Sequence, residues 1–168
     1  MWSKPHPVAE HIPRLRRYAR ALTGDAARAD DLVQDTLERA LTKFGLWRHG
    51  SDLRAWLFTV MHNVYVNQEA TRRDRLGIPW EEVEPELPLA ASQEQTLELR
   101  DLVTALGRLP PEYREVLLLV GLEGLRYEEV AQVLGVPVGT VMSRLARGRE
   151  RLRRLMDGEW GPSLRRVK

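Results

Sequence analysis

The segment from Tyr127 to Arg154 holds the residues whose types and spacing best suit a chemical task, and that task is contact with nucleic acid. Arg144 and Arg147 are three residues apart, so they share one side of a helix. The planar fork of an arginine can donate two hydrogen bonds to guanine O6 and N7 in a major groove. The sequence predicts a DNA-reading face of Thr140, Met142, Ser143, Arg144 and Arg147, with Arg149, Arg151, Arg153 and Arg154 along the sugar-phosphate backbone.

The small and apolar residues around that face have the spacing of a helix-turn-helix. Ala131 is small where two helices must approach closely, and Gly135 stands four residues later, where the turn needs a backbone without a Cβ. Val141 follows six residues further on and fills the angle between the helices, while Pro137 preorganises the start of the second helix. The alternative is an arginine-rich surface helix that ends a helical bundle, but charge alone does not explain this spacing.

Charge is distributed unevenly along the 168 residues. Residues 1–75 carry 13 Lys and Arg against 9 Asp and Glu, residues 76–101 carry 1 against 7, and residues 102–168 carry 12 against 8. Two basic stretches therefore flank an acidic one. This pattern suits a protein that contacts a polyanion at both ends, and a merely solvated charged surface is the alternative.

Composition limits the class of protein. A hydrophobic content of 43% in 168 residues can bury one modest core or two small ones, but not a large enzyme domain. The absence of cysteine excludes disulfides and thiolate metal sites. The N-terminus lacks the continuous apolar segment of a secretory signal or membrane span, so we expect a soluble cytoplasmic protein without membrane insertion.

Helical periodicity predicts three helices in the first half of the chain. Gly24 and Asp25 divide the run from Ile12 to Phe44 into two helices that can pack as a hairpin. Asp52 is placed to cap a third helix that reaches about Asp74. The buried face of this helix should include Leu53, Trp56, Leu57, Val60, Met61 and Val64. The second helix should face the core with Ala29, Leu32, Val33, Thr36, Leu37, Ala40, Leu41 and Phe44.

The complete pattern predicts an all-α fold of two small helical domains joined by a flexible linker. The first domain spans 10–75, and the second, which contains the helix-turn-helix, spans 95–157. Between them, 76–94 is rich in proline and glutamate, a composition that resists regular structure. A basic tail follows at 158–168.

Two of these segments resemble the extracytoplasmic-function (ECF, group 4) sigma factors of the bacterial sigma-70 family. The sequence DDLVQDTLERAL at 30–41 resembles the polymerase-binding part of region 2, and 109–155 resembles region 4. The resemblance implies that Asp31, Gln34 and Asp35 bind the clamp helices of the largest subunit of core RNA polymerase, where a solvated face is the alternative. It also implies promoter DNA as a partner, a separate anti-sigma factor that inhibits the chain, and a stress or envelope-response regulon.

The resemblance further assigns the third helix and the loop before it to the minus-10 promoter element. Asn63 would contact a base flipped out of the duplex, since holding an unpaired base costs little where a strand is already melting. The loop would assist with Trp47, Arg48 and His49, and Asn67, Arg72 and Arg73 would follow the backbone. The minus-35 element would then be read by Thr140, Met142, Ser143, Arg144, Arg147 and Arg149.

Three other functions compete with this interpretation. One is a stand-alone helix-turn-helix regulator that binds DNA unaided, and another is an adaptor that mimics a sigma factor and sequesters its inhibitor. The third is an enzyme, which the sequence disfavours because it has no phosphate-cradling glycine loop and no G-x-S-x-G motif. We expect no catalytic residue, no cofactor and no metal, since metal-ligand spacing is absent among His6, His11, His49 and His62.

Overall fold

The computed structural model describes residues 4–77 and 97–158. Within these residues the chain forms seven α-helices and two short 3₁₀ segments and contains no strand, which confirms the predicted all-α fold. Nearly all of the predicted linker, and the predicted tail from 159 onward, lie outside the described residues.

The first helical unit contains three helices that pack around the N-terminal core. A 3₁₀ segment at Pro7–His11 leads into α1, and a second 3₁₀ segment at Phe44–Leu46 lies between α2 and α3. Helix α1 packs against α2, and α2 packs against α3. The helices are α1 (Ile12–Thr23), α2 (Ala26–Thr42) and α3 (Leu53–Leu76).

The helix boundaries in this unit follow from local residue chemistry. Gly24 ends α1 with a φ of 68°, in the left-handed region where glycine has no Cβ penalty. The Asp25 side chain then accepts the amide of Arg28 and caps α2. Asp52 Oδ1 accepts the amides of Arg54 and Ala55 at 3.0 and 3.4 Å, which confirms the predicted cap of α3.

The prediction that Leu41 of α2 faces the core is wrong. Leu41 is 52% exposed, although Leu32 and Ala40 are fully buried. Leu41 lies seven residues, about two turns, after the exposed Gln34, so it shares the solvent side of the helix rather than the apolar stripe.

The second helical unit contains the predicted helix-turn-helix. Pro111 begins α5, and α6 ends at Gly135, whose φ is 66°. Val141 has no exposed surface and Ala131 is buried, as the spacing predicted. The helices of the unit are α4 (Leu97–Arg108), α5 (Pro111–Gly121), α6 (Tyr127–Leu134) and α7 (Val138–Met156).

The two units pack against each other. Helix α1 contacts α4 and α5, and α3 contacts α6. Phe58 and Tyr65 of α3 are buried in the same cluster as Val116 of α5 and Val130 of α6. Helix α3 thus buries a second face, beyond the one that the sequence assigned to the first core.

Gly148 allows α7 to pass close to α5. A Cβ at this position would lie 3.3 Å from both Leu117 Cδ1 and Tyr113 Cβ. We expect Gly148→Leu to lower the free energy of unfolding by about 1–3 kcal/mol, because overpacking forces side chains and backbone to shift. Urea denaturation followed by circular dichroism measures the change. Gly139→Leu in the same helix is the control, since a Cβ there meets nothing within 4 Å; equal losses at both positions would contradict the prediction.

Candidate functional site

The N-terminal half of α7 presents the predicted DNA-reading residues to solvent. Met142, Ser143, Arg147 and Arg149 are exposed, and Thr140 and Arg144 are half-buried. The Ser143 hydroxyl donates to the carbonyl oxygen of Thr140 at 3.1 Å. Neither Arg144 nor Arg147 forms an ion pair within residues 4–77 and 97–158, so both guanidiniums are available to an external anion or base edge.

The arginines of the C-terminal half of α7 are already engaged. Arg153 and Arg154 donate to the Glu150 carboxylate, and these contacts, the one from Arg153 foremost, hold the pKa of Glu150 below its usual value. Arg153 also donates to Asp157 at 2.9 Å. The guanidinium of Arg151 lies 4.7 Å from the centre of the Tyr113 ring. The structure therefore separates a free recognition half of the helix from a half whose arginines pair on the protein surface.

The first turn of α6 is fixed by Glu129. Its carboxylate accepts the backbone amide of Arg126 at 3.1 Å and the Arg126 Nε at 3.0 Å. Burial acts against the charged form of Glu129, but the hydrogen bonds from Arg126, an interaction with Asp52 and the charge of Arg126 together outweigh it and lower the pKa of the carboxyl. This contact holds the helix that precedes the recognition helix.

The predicted polymerase-binding residues lie on the solvent side of α2. Asp31, Gln34 and Asp35 are all exposed. Gln34 lies opposite the buried stripe of Leu32 and Thr36, and the two aspartates lie beside that stripe. Asp35 Oδ2 accepts a hydrogen bond of 2.6 Å from Gln68 Nε2 on α3. This contact places an edge of the acidic face beside the helix that carries the predicted minus-10 residues.

One side of helix α3 presents two of its predicted minus-10 residues, and the two arginines near its C-terminus lie on other sides. Asn63 and Asn67 are exposed and four residues apart, so they share that side. Arg72 and Arg73 are half-buried, and Arg72 Nη1 lies 3.9 Å from Glu69 Oε2. Glu69 also pairs with Arg28 of α2.

The loop between α2 and α3 is built on an aromatic cluster that sequence reasoning missed. The Phe44 ring lies 5.4 Å from Trp47 and 4.4 Å from His6, measured between ring centres, and Trp47 lies 4.9 Å from His49. Trp47 is half-buried, and among the described residues its Nε1 has no hydrogen-bond partner. By contrast, the neighbouring Leu46 is 81% exposed, and Arg48 and His49 are also exposed. Trp47 therefore supports the loop, while its neighbours face solvent.

The contact between the two units contains a buried arginine. The Arg114 side chain of α5 donates to four carbonyl oxygens: three in the second unit, at Leu106, Gly107 and Leu109, and that of Leu22 in α1. These carbonyls lie at the C-terminal ends of α4 and α1, where a cation is favoured by the helix dipole. The distance from Arg114 Nη1 to the Leu22 oxygen is 2.6 Å.

Two buried glutamates complete this contact. Glu115 Oε1 lies 2.7 Å from His62 Nδ1 on α3. Glu123, which follows α5, receives Arg17 Nη2 at 3.2 Å and lies 3.4 Å from Arg14 Nε. The nearby Tyr18 has its pKa raised well above the usual value by burial and, secondarily, by the Glu115 carboxylate.

Two other kinds of site are absent from the described residues. No group of three or more His, Asp or Glu side chains there could hold a metal ion. No helix in 4–77 or 97–158 combines the length and apolarity required to cross a membrane.

Comparison with known families matches both helical units. The family described as "Sigma2 domain of PhyR" matches residues 8–62, and "Sigma-70, region 4" matches residues 99–152. The ECF RNA polymerase sigma factor EcfG of Rhodopseudomonas palustris (strain TIE-1) is 40% identical over 155 residues, which cover 90% of this chain and 86% of that protein.

Two solved structures share the arrangement. The sigma factor RpoE in complex with the anti-sigma factor NepR from Bartonella quintana has a TM-score of 0.78 and 34% identity, and the match covers 89% of this chain and 94% of that one. The anti-anti-sigma factor PhyR complexed with NepR from Bartonella quintana has a TM-score of 0.56 and 20% identity over 84% of this chain and 47% of that one, a likeness of fold alone. Because the similarity to EcfG spans both units, the chain belongs to the ECF RNA polymerase sigma factors.

Proposed function

We propose that this chain binds core RNA polymerase through α2 and directs initiation at promoters that it reads with α3 and α7. One observation carries the proposal. A single chain exposes the acidic face of Asp31, Gln34 and Asp35 on one unit and, on the other, Arg144 and Arg147, which have no ion pair in the described part of the chain. A DNA-binding regulator that acts alone needs only the second of these surfaces.

Each surface has a separate physical task. Arg144 and Arg147 enter the major groove of the minus-35 duplex, where bidentate contacts discriminate between bases. Asn63 and the loop around Trp47 hold an unpaired base of the minus-10 element. The carboxylates of α2 accept charge-assisted hydrogen bonds from polymerase cations. The polymerase performs phosphodiester synthesis in the cytoplasm, and this chain contributes position and strand separation without catalysis of its own.

An anti-sigma factor is the proposed inhibitory partner. The matched RpoE structure contains the anti-sigma factor NepR, and its similarity covers most of this chain. A protein of that kind would hide polymerase-binding or DNA-binding surfaces until a stress or envelope signal releases it.

The match of residues 8–62 to the sigma2 domain of PhyR favours a second candidate function, that of an adaptor which sequesters an anti-sigma factor. Such an adaptor would not require unpaired arginines on a groove-sized helix face. Charge reversal at Arg144 and Arg147 would leave an adaptor active, whereas it would stop a sigma factor from initiating at promoters that need the minus-35 element.

Run-off transcription tests the main proposal. Purified chain and purified core polymerase are incubated with a library of promoter fragments, and transcripts are sequenced. We expect transcripts from a subset of fragments that share two sequence elements, and none from core polymerase or the chain alone. Tight binding to those fragments by the chain without core polymerase would instead identify a stand-alone regulator.

A further inference from the structure

The Glu123 side chain has no exposed surface, and cations of the other helical unit surround it. Both oxygens of its carboxylate accept a hydrogen bond from Arg17 Nη2 at 3.2 Å, and one of them lies 3.4 Å from Arg14 Nε. Its backbone carbonyl accepts Arg54 Nη1 at 3.2 Å. Three guanidiniums of the first unit therefore converge on one acidic residue of the second.

These three arginines form a compact surface on the first unit. Arg14 and Arg17 lie one turn apart on α1, and Arg54 lies in the first turn of α3. While the two units are packed together, the side chains of Arg14, Arg17 and Arg54 are 38%, 55% and 25% exposed, respectively. Arg54 also follows the loop of Trp47, Arg48 and His49 by a few residues, so the arginine surface borders the proposed minus-10 site.

We propose that Arg14, Arg17 and Arg54 form a site for a DNA phosphate, and that Glu123 occupies this site while the two units are packed together. The inference rests on the proposed function, because it assumes that the first unit meets promoter DNA. Beyond that function, it assigns a phosphate-binding site to the three arginines and makes Glu123 a competitor for that site within the same chain.

The chemistry of arginine supports the exchange. A guanidinium can donate to a carboxylate or to a phosphate, so either anion fits Arg14 and Arg17, which meet the Glu123 carboxylate. Arg54, which donates to the Glu123 backbone carbonyl, becomes available to a phosphate when that carbonyl moves away. Both cannot occupy the site together. When the units separate, the three arginines lose Glu123 and their positive charges attract the DNA backbone.

The competition lowers the DNA affinity of the free chain. Only the fraction of molecules with separated units offers the site, and the apparent dissociation constant rises in inverse proportion to that fraction. Removing the Glu123 charge should raise the fraction without abolishing the contact between the units, since Arg114 still bonds the Leu22 carbonyl and Glu115 still pairs with His62.

The test measures binding of the full chain, without polymerase, to a short fluorescent single-stranded DNA of mixed sequence. We expect Glu123→Gln to bind this DNA about threefold or more tightly than the unaltered chain, because it enlarges the competent fraction. Adding Arg17→Gln to that variant should return the affinity to the starting value and flatten the dependence on salt by about 0.7 in slope, the value for one phosphate.

Glu128→Gln is the matched control, since it makes the same change in net charge at an exposed residue of α6. An equal gain in both glutamine variants, or no gain in Glu123→Gln, overturns the inference. A gain in affinity for core polymerase without a gain for DNA also overturns it, because the arginines would then bind an acidic protein surface.

A second variant decides the matter if Glu123→Gln does not fold, as judged by circular dichroism. Arg17→Gln alone, assembled with core polymerase, should then lower the salt slope of promoter binding, and an unchanged slope overturns the inference. Run-off transcription by the unaltered chain tests the proposed function separately. If the unaltered chain supports transcription but Glu123→Gln has no effect on DNA binding, only the phosphate site is rejected. If the unaltered chain does not support transcription, the proposed function is rejected.

Discussion

Reversing both carboxylates of the α2 face, in the variant Asp31→Arg/Asp35→Arg, should lower the affinity for core polymerase about 100-fold or more and abolish run-off transcription. Truncating or opposing one partner of a hydrogen-bonded charge pair at an interface costs about 2 kcal/mol or more. Two such changes exceed the roughly 2.7 kcal/mol that corresponds to 100-fold. Fluorescence anisotropy of labelled chain against core polymerase measures the affinity.

The fold should survive this change. Asp31 and Asp35 are exposed, and the substitution of Asp35 removes one solvent-accessible hydrogen bond with Gln68. The control is Glu98→Arg/Glu112→Arg, which makes the same change in charge at two residues of α4 and α5 outside the α2 face. Polymerase binding that survives reversal of the α2 face, or that is abolished equally in the control, would show that α2 does not bind polymerase.

The parts of the fold that the sequence predicted are those decided within a few residues. Gly24 and Asp25 interrupt the first hairpin because a left-handed glycine ends one helix and a carboxylate caps the next. The helix-turn-helix follows equally from Gly135 and the buried Val141. Such interactions join residues that are close in sequence, so their pattern is visible without the structure.

The contact between the two units was not predictable in this way. Glu123 meets Arg17 across 106 residues of sequence, and Arg114 meets the Leu22 carbonyl across 92. In the sequence each of these charges resembles an ordinary surface residue, because burial of a charge depends on a partner that periodicity does not identify. The second buried face of α3, with Phe58 and Tyr65, was also missed, because burial against another unit depends on residues that are distant in sequence.

The candidate site was likewise predictable only where the spacing of residues along the sequence decides it. The shared helix side of Arg144 and Arg147 follows from spacing alone, and the structure leaves both without an ion pair in its described part. The engagement of Arg151 with Tyr113, and of Arg153 with Glu150, depends on side-chain packing that spacing does not specify. The aromatic support of Trp47 by Phe44 likewise depends on the three-dimensional path of the loop.

Replacing Arg144 and Arg147 by alanine should remove recognition of the minus-35 element. A bidentate contact of arginine with guanine contributes about 1–3 kcal/mol of base discrimination, so each single change should lower promoter binding by the assembled polymerase about 10-fold. The double variant should lower promoter binding about 100-fold, and the exact factor depends on coupling between the two sites, because the effects of neighbouring substitutions do not add strictly. Filter binding of the assembled polymerase to matched promoter fragments measures both.

Arg153→Ala is the matched control on the same helix, because Arg153 already bonds Glu150 and Asp157 on the protein surface. It should change promoter binding by less than about threefold, the scale of an exposed ion pair. The decisive comparison uses a fragment whose minus-35 element is scrambled. If α7 reads that element, the unaltered chain and the double variant bind the scrambled fragment equally, because scrambling already removes the bases with which the two arginines would form hydrogen bonds. A double variant that is still weaker on the scrambled fragment would show that Arg144 and Arg147 contribute affinity through phosphates and not through bases.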